Sequence, residues 1–185
     1  MRVAIFFATR EGHTRSIAAR IAADLELRGA EVDVYNVRTA GPIDWSSYSA
    51  ACVAASVHGG AHEREMIAFV RTHRHELERL AAAFVSVSLS EAGAEDAHRP
   101  DDQRRRSAAD VQRMIETFIK RTGWTPGRTL AAAGALTYSK YNLLIRFVMK
   151  RIARQMGAPI DTSRDYVFTD WRAVDRFAAE IAGPI

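Results

Sequence analysis

An apolar run from Val3 to Ala8 stops at a short polar loop, Thr9-Arg10-Glu11-Gly12-His13-Thr14, and a helical pattern follows without a break. Ile17, Ile21 and Leu25 recur at i, i+4 and i+8, with Ala18 and Ala22 beside them, which makes one apolar face of a helix. A strand that feeds a helix through a hydroxyl-bearing turn aims backbone N–H groups and the positive end of the helix dipole at one point. That point suits a phosphate. Thr9 and Thr14 add hydroxyl donors, and Gly12 lets the backbone close around a small anion. Neither G-x-G-x-x-G nor G-x-x-x-x-G-K-S/T occurs here, so a dinucleotide fingerprint or a P-loop NTPase is not indicated. An ordinary Thr N-cap after a strand would leave the same letters, and the rest of the chain has to decide between the two.

The same rhythm repeats. The first helix is predicted from Thr14 to Arg28, with Gly29 as its C′ residue. Glu31 to Val37 alternates polar and apolar, as an edge strand does, and a Gly41-Pro42 turn and the short stretch Asp44 to Tyr48 follow. Ala51 to Val57 is continuously apolar, as expected of a central strand, and runs into His58-Gly59-Gly60-Ala61-His62. Met66, Ile67, Val70, Leu77 and Leu80 set a helix over Glu63 to Arg79, and Ala82 to Leu89 reads as a fourth strand. Ser90 to Arg106 reads as a polar loop whose charge run, Arg104-Arg105-Arg106, is solvated. Val111, Ile115, Phe118 and Ile119 mark a helix ending near Gly123, and Arg128 to Leu136 is a fifth strand. Strands alternating with helices specify an α/β fold with a doubly wound five-stranded parallel sheet. Right-handed crossovers and strand order 2-1-3-4-5 bring three loops to one rim: Thr9–Thr14, Ser56–His62 and the segment from Leu89 onward.

Composition narrows the function classes. A length of 185 residues suits one domain, and 48% hydrophobic with 26% charged residues fits a water-exposed globule. No run approaches the roughly 18 apolar residues of a membrane span, and Met1-Arg2 precede only the first strand, so no signal peptide is expected. The lone Cys52 lies within an apolar strand, which argues against disulfides and points to a reducing cytoplasm. The net charge of +4 suggests an anionic membrane surface or a carboxylate-bearing substrate. No helix-turn-helix, zinc-finger or RNP pattern supports nucleic acid.

Taken together, these stretches resemble the flavodoxin domain, whose T-x-T-G-x-T phosphate loop is read here as Thr9-Arg10-Glu11-Gly12-His13-Thr14. Within it the chain is similar to the menaquinone-dependent protoporphyrinogen IX dehydrogenases of the HemG type. Phe7 to Thr14, Ala55 to His62 and Phe84 to Leu89 carry that likeness, with Gly134-Ala135-Leu136-Thr137-Tyr138-Ser139-Lys140-Tyr141 and Tyr166-Val167-Phe168-Thr169-Asp170-Trp171. The family's S-I-R-Y-G becomes Ser56-Val57-His58-Gly59-Gly60 here, losing an aromatic at the flavin edge. The resemblance implies one flavodoxin-like domain over residues 1–185 that binds FMN non-covalently. It implies oxidation of protoporphyrinogen IX to protoporphyrin IX in haem biosynthesis, with electrons passed to menaquinone or ubiquinone. It places Thr9, Arg10, Glu11, Gly12, His13 and Thr14 around the phosphate, and Ser56, Val57, His58, Gly59, Gly60, Ser88 and Leu89 along the isoalloxazine. Alternatives are an FMN-dependent NAD(P)H or quinone reductase and a non-enzymatic electron carrier. Carrier flavodoxins are acidic, so a basic chain speaks against the last.

The segment from about residue 138 to 157 departs from a minimal flavodoxin. It carries Lys140, Arg146, Lys150, Arg151 and Arg154 with no acidic residue. At 100° per residue Leu144, Ile145, Val148, Met149, Ile152 and Met156 fall on one face, while Leu143 and Phe147 project among the cations. A surface helix with a hydrated basic face is one reading. An interfacial helix or substrate lid is the other, with Tyr138, Lys140, Tyr141, Arg146, Phe147, Lys150 and Arg154 meeting substrate propionates or anionic headgroups. The second reading predicts a cytoplasmic protein held peripherally on the inner face of the cell membrane. The number of subunits stays open, a homo-oligomer included. Of the six histidines, none pairs with metal-ligand spacing. His58 and His62, in the flavin-edge loop, are the candidates for proton transfer.

Overall fold

A computed structural model describes residues 1–155 and 160–183, without the side chains of residues 143–146, 152 and 155. Five long strands build the main sheet: β1 (Arg2–Ala8), β2 (Glu31–Asn36), β3 (Ala50–His58), β5 (Ala81–Ser88) and β6 (Arg128–Ala133). They pair in parallel in the order β2-β1-β3-β5-β6, which is 2-1-3-4-5 among the long strands. The register of Val3 with Val32 and Ala50, and of Ala51 with Ala82, aligns the carboxyl ends of all the central strands at one rim.

Alternation along each strand divides the core. Val3, Ile5, Phe7, Cys52 and Val85 face the helices α1 (His13–Leu27) and α7 (Trp171–Ala182), meeting Ile17, Ile21, Val174 and Phe177. Phe6, Val53 and Phe84 face the opposite way, toward α2 (Arg64–Thr72), α3 (Arg74–Arg79) and α5 (Asp101–Thr122), meeting Met66, Leu77, Met114 and Phe118. The strands are rich in alanine, and large rings fill the space those small residues leave: Phe84 stacks on Phe118 with centroids 4.3 Å apart. Cys52 is fully buried, and burial pushes its thiol up to about 12, so it packs as a small apolar group.

Several boundaries differ from the sequence reading for identifiable reasons. The helix expected over Glu63 to Arg79 breaks at His73, whose ring is drawn between Trp45 and Phe69, with centroids 5.1 and 4.7 Å away. The Ser90–Arg106 segment is not a loop. Ser88 caps α4 (Leu89–Glu95), its side chain accepting from the Glu91 N–H at 3.2 Å, and α5 then starts at Asp101 with two acids in its first turn. Arg104 and Arg106 pair along that helix with Asp101 and Asp102.

The fifth long strand ends at Ala133 rather than Leu136. At Gly134 the chain bends off, the Gly134 N–H reaching the Ser88 carbonyl at 2.9 Å. A short strand β7 (Ala135–Leu136) then pairs antiparallel with β8 (Tyr166–Val167). Between them hangs the inserted segment, a 3-10 turn over Tyr138–Lys140 and then α6 (Leu143–Gln155). Met149 and the fully buried Ala153 turn inward with Tyr138, Tyr141 and Leu136. Val148, expected on the packing face, is instead 46% exposed next to Phe147 at 69%, because the inward face is centred on Met149 and Ala153. The side chains of Leu143, Leu144, Ile145, Arg146 and Ile152, and Met156 and Gly157 altogether, lie outside the described residues. Among the described residues no helix is long and apolar enough to cross a membrane.

Candidate functional site

The rim begins with the loop between β1 and α1. Gly12 is the N-cap of α1 in a left-handed conformation, φ 94°, which a side chain would strain. Its N–H is taken by Thr9 Oγ1 at 3.0 Å. The helix therefore starts at His13, one residue earlier than expected, and Thr14 is in its first turn rather than its cap. No acidic side chain occupies that turn, so the first free N–H groups and the dipole remain available to an outside anion. The Thr14 hydroxyl is 1% exposed and has no hydrogen-bond partner among the described residues. A buried polar atom left in this way at a helix N-terminus fits a ligand oxygen.

Behind the loop, the Thr-Asp-Trp stretch supports it. Thr169 Oγ1 donates to the Ala133 carbonyl at 2.6 Å, so the 2.6 Å contact with His13 Nε2 makes that ring nitrogen the donor. Asp170 caps α7, accepting from the N–H groups of Arg172 and Ala173, and the Trp171 ring meets the His13 ring edge-on. Burial first, and then the nearby Lys140 charge, hold the His13 pKa below its ordinary value. The His13 side chain thus braces the loop from behind through Thr169 and Trp171.

The second loop is a tight hairpin. Gly59 and Gly60, at φ 58° and 79°, fold β4 (Ala61–His62) back on the end of β3, the two-residue turn that paired glycines favour. This turn delivers Glu63, whose side chain is fully buried. Ser56 Oγ donates to one Glu63 oxygen at 3.2 Å, and Arg10 Nε donates to the other at 3.3 Å. Arg38 lies 3.6 Å from the latter. His58 Nε2 lies 3.3 Å from both the Glu63 and the Glu11 carboxylates, with a hydrogen bond to neither. Glu63 thus ties the phosphate loop, the end of β2 and the hairpin together.

The three loops enclose a cavity of about 280 Å³. Its walls include Thr9, Glu11, His13 and Thr14 from the first loop, Ser56 to Gly60 from the second, and Ser88 to Ser90 from the third, with Tyr141 and Met149 of the insertion closing over it. An open groove of about 850 Å³ runs outside the first loop, past Arg10, Gly12, Arg15 and Lys140.

Most residues expected around a flavin meet in this cavity, and some do not. Arg10 is turned away to Glu63, and Gly12 and Arg10 line the outer groove. His62 is not at the cavity: it is 3% exposed, bonded to Ser86 Oγ at 2.9 Å and packed on Phe84 and Phe118. Burial pushes its pKa down to about 4. Tyr141 borders the cavity, while Tyr138 is buried behind it. Lys140 reaches back to the Glu11 carbonyl rather than outward. Phe147 and Arg154 are exposed on α6 and Lys150 is half-buried; the Arg146 side chain lies outside the described residues. Glu63 escaped the sequence reading because its partners come from three separate segments, though a Gly-Gly hairpin ending on an acid was a usable signal.

The family model described as flavodoxin domain matches residues 4–163. A protoporphyrinogen IX dehydrogenase (quinone) of Escherichia coli is 33% identical over 182 residues, covering 98% of this chain and 95% of that protein. A protein of the same name from Leishmania major is 28% identical over 179 residues, covering 96% of this chain and 73% of its own length. Among solved structures, a short-chain flavodoxin associated with a bacterial microcompartment superposes with a TM-score of 0.58 at 12% identity, covering 98% of this chain and 96% of the other. The strand order, the loop at the start of α1 and an end-to-end alignment agree: the chain belongs to the flavodoxin-domain family, alongside the quinone-linked protoporphyrinogen IX dehydrogenases.

Proposed function

We propose that this chain is an FMN-dependent dehydrogenase that oxidises protoporphyrinogen IX and passes the electrons to a membrane quinone. The observation that carries this reading is the buried, unpartnered Thr14 hydroxyl at a helix N-terminus free of acids, on the rim of a cavity roofed by the insertion. These residues fit FMN. The N–H groups of His13 and Thr14 with the Thr14 hydroxyl hold the phosphate, and Thr9 keeps Gly12 in its cap conformation. The Ser56–Gly60 and Ser88–Ser90 segments border the ring system, which bound FMN supplies as the two-electron acceptor.

The protein's part is placement and water exclusion. Tyr141 and Met149 line the cavity and shield the ring and a substrate beside it from water. His58 borders the same cavity, its Nε2 3.3 Å from the Glu11 and Glu63 carboxylates, and is the candidate for proton transfer at the ring. His62, buried and bonded to Ser86, holds the hairpin instead.

Quinones reside in lipid, so the electrons must leave at a membrane. On α6, Phe147 and Val148 stand exposed beside the exposed Arg151 and Arg154. Apolar and cationic groups on one face suit an anionic bilayer surface. This reading places the protein peripherally on the inner face of the cell membrane.

Anaerobic mixing tests the function. FMN-loaded protein should bleach when mixed with protoporphyrinogen IX and recover its colour on adding menaquinone. Bleaching by NADPH and not by the porphyrinogen would overturn the proposal in favour of a pyridine-nucleotide-driven reductase.

A further inference from the structure

The geometry points to Lys140 as the phosphate-selecting residue of the site: a cation delivered from the inserted segment that makes the protein choose FMN over riboflavin. This rests on the FMN reading above and goes beyond it. The sequence reading grouped Lys140 with substrate and membrane contacts, but its ammonium bonds the Glu11 carbonyl. A Cβ built on Gly12 would lie 3.1 Å from Nζ. The charge therefore rests on the loop that caps α1, across 129 residues of chain.

Its neighbours hold it there. Lys140 closes a 3-10 turn through its N–H to the Thr137 carbonyl at 3.0 Å. Ser139 is fixed by Asp165, which accepts from its N–H at 2.8 Å and its hydroxyl at 2.6 Å. Tyr138, fully buried, anchors the turn from below.

Among the described residues, the other cations near the loop are paired with acids or not tied to it. Arg10 pairs with the buried Glu63, and Arg38 with Glu63 and Glu65. Arg15 is exposed and lines the same outer groove as Lys140, but no hydrogen bond or ion pair among the described residues ties its side chain to the loop. The neutral donors of the loop can hold a phosphate by hydrogen bonding. A fixed ammonium adds an attraction to the phosphate's negative charge that the neutral ribityl hydroxyl of riboflavin cannot match. The ring system is common to both flavins, so whatever Lys140 contributes must appear in their ratio.

Binding of FMN and of riboflavin to the purified, flavin-stripped chain should be measured by fluorescence quenching for wild type, Lys140→Met and Lys140→Arg. We expect Lys140→Met to weaken FMN by about 10- to 100-fold and to leave riboflavin within about twofold. Lys140→Arg should restore most of the preference, and Arg15→Met should alter it little. Raising salt should weaken FMN binding to wild type more than to Lys140→Met. Equal losses for both flavins would make Lys140 a structural strut and overturn the inference, as would an unchanged ratio or one that follows Arg15. If wild type binds neither flavin, the FMN reading itself falls. If it binds both and only the ratio fails to respond, the Lys140 role alone is lost.

Discussion

Replacing Thr14 by valine separates what its hydroxyl does with and without a ligand. Valine keeps the branched shape and replaces only the polar atom, so the buried position stays filled. In the ligand-free protein the hydroxyl is 1% exposed with no partner, and an unmet buried polar group costs about 1–3 kcal/mol. Thr14→Val should therefore melt higher than wild type without ligand, each kcal/mol shifting a chain of this size by about 2–4 °C. With FMN the sign reverses. A bond from the hydroxyl to a charged phosphate contributes about 1.5–3 kcal/mol, so the variant should bind FMN about 10- to 100-fold more weakly. At saturating FMN, each tenfold loss in affinity removes about 1.4 kcal/mol of ligand-induced stabilisation. Scanning calorimetry with and without FMN, plus a titration of each protein, reads both halves. A variant that melts lower without ligand and binds FMN as wild type does would refute the reasoning, since the hydroxyl would then serve the fold and not the ligand.

Other outcomes follow from the same geometry. Glu63→Gln should destabilise the protein by about 1–3 kcal/mol in urea unfolding, because a buried acceptor charge shared by Ser56, Arg10 and Arg38 is lost; an unchanged midpoint would show that the cluster adds nothing. His62 has a folded-state pKa of about 4, below its ordinary 6.5. Its contribution is thus fully present above pH 6.5 and lost as pH falls through that window toward 4, by about 3 kcal/mol in total. His62→Gln should flatten that part of the stability curve relative to wild type, and an identical slope would contradict the assignment. On α6, Arg151→Glu with Arg154→Glu should abolish sedimentation with anionic vesicles, each basic residue near such a surface mattering by about 1 kcal/mol; retained binding would show that this face is not the anchor.

The sheet was legible because its cause is local. Continuous apolar runs such as Val3–Ala8 and Ala51–Val57, alternating with helical patterns, fit strands buried on both faces of a parallel sheet, and chirality then fixes which loops share a rim. Gly29 and Gly123 announced two helix ends in the same way, both observed with positive φ. The α4 start was also local, a Ser88-x-x-Glu91 cap, although the charged stretch after it has the composition of a solvated loop. The partners of Glu63 and Lys140 could not be read, although the Gly-Gly turn before Glu63 left a local sign and Lys140 stood out as a cation of the insertion. Each has its role through partners far along the chain, and single-residue chemistry does not encode which loop a long side chain will reach. The Thr-Asp-Trp stretch was legible as a family mark, while its work of propping His13 and capping α7 needed coordinates. On α6 an averaged 100° spacing put Val148 on the wrong side, since Met149 and Ala153 set the inward direction.

The central claim is that three loops at one end of the sheet hold one flavin mononucleotide. Isothermal titration of the purified, flavin-stripped chain with FMN tests it directly. The account predicts one equivalent bound, with the flavin fluorescence quenched in the same titration. A flat heat trace with unquenched fluorescence at excess FMN would contradict it.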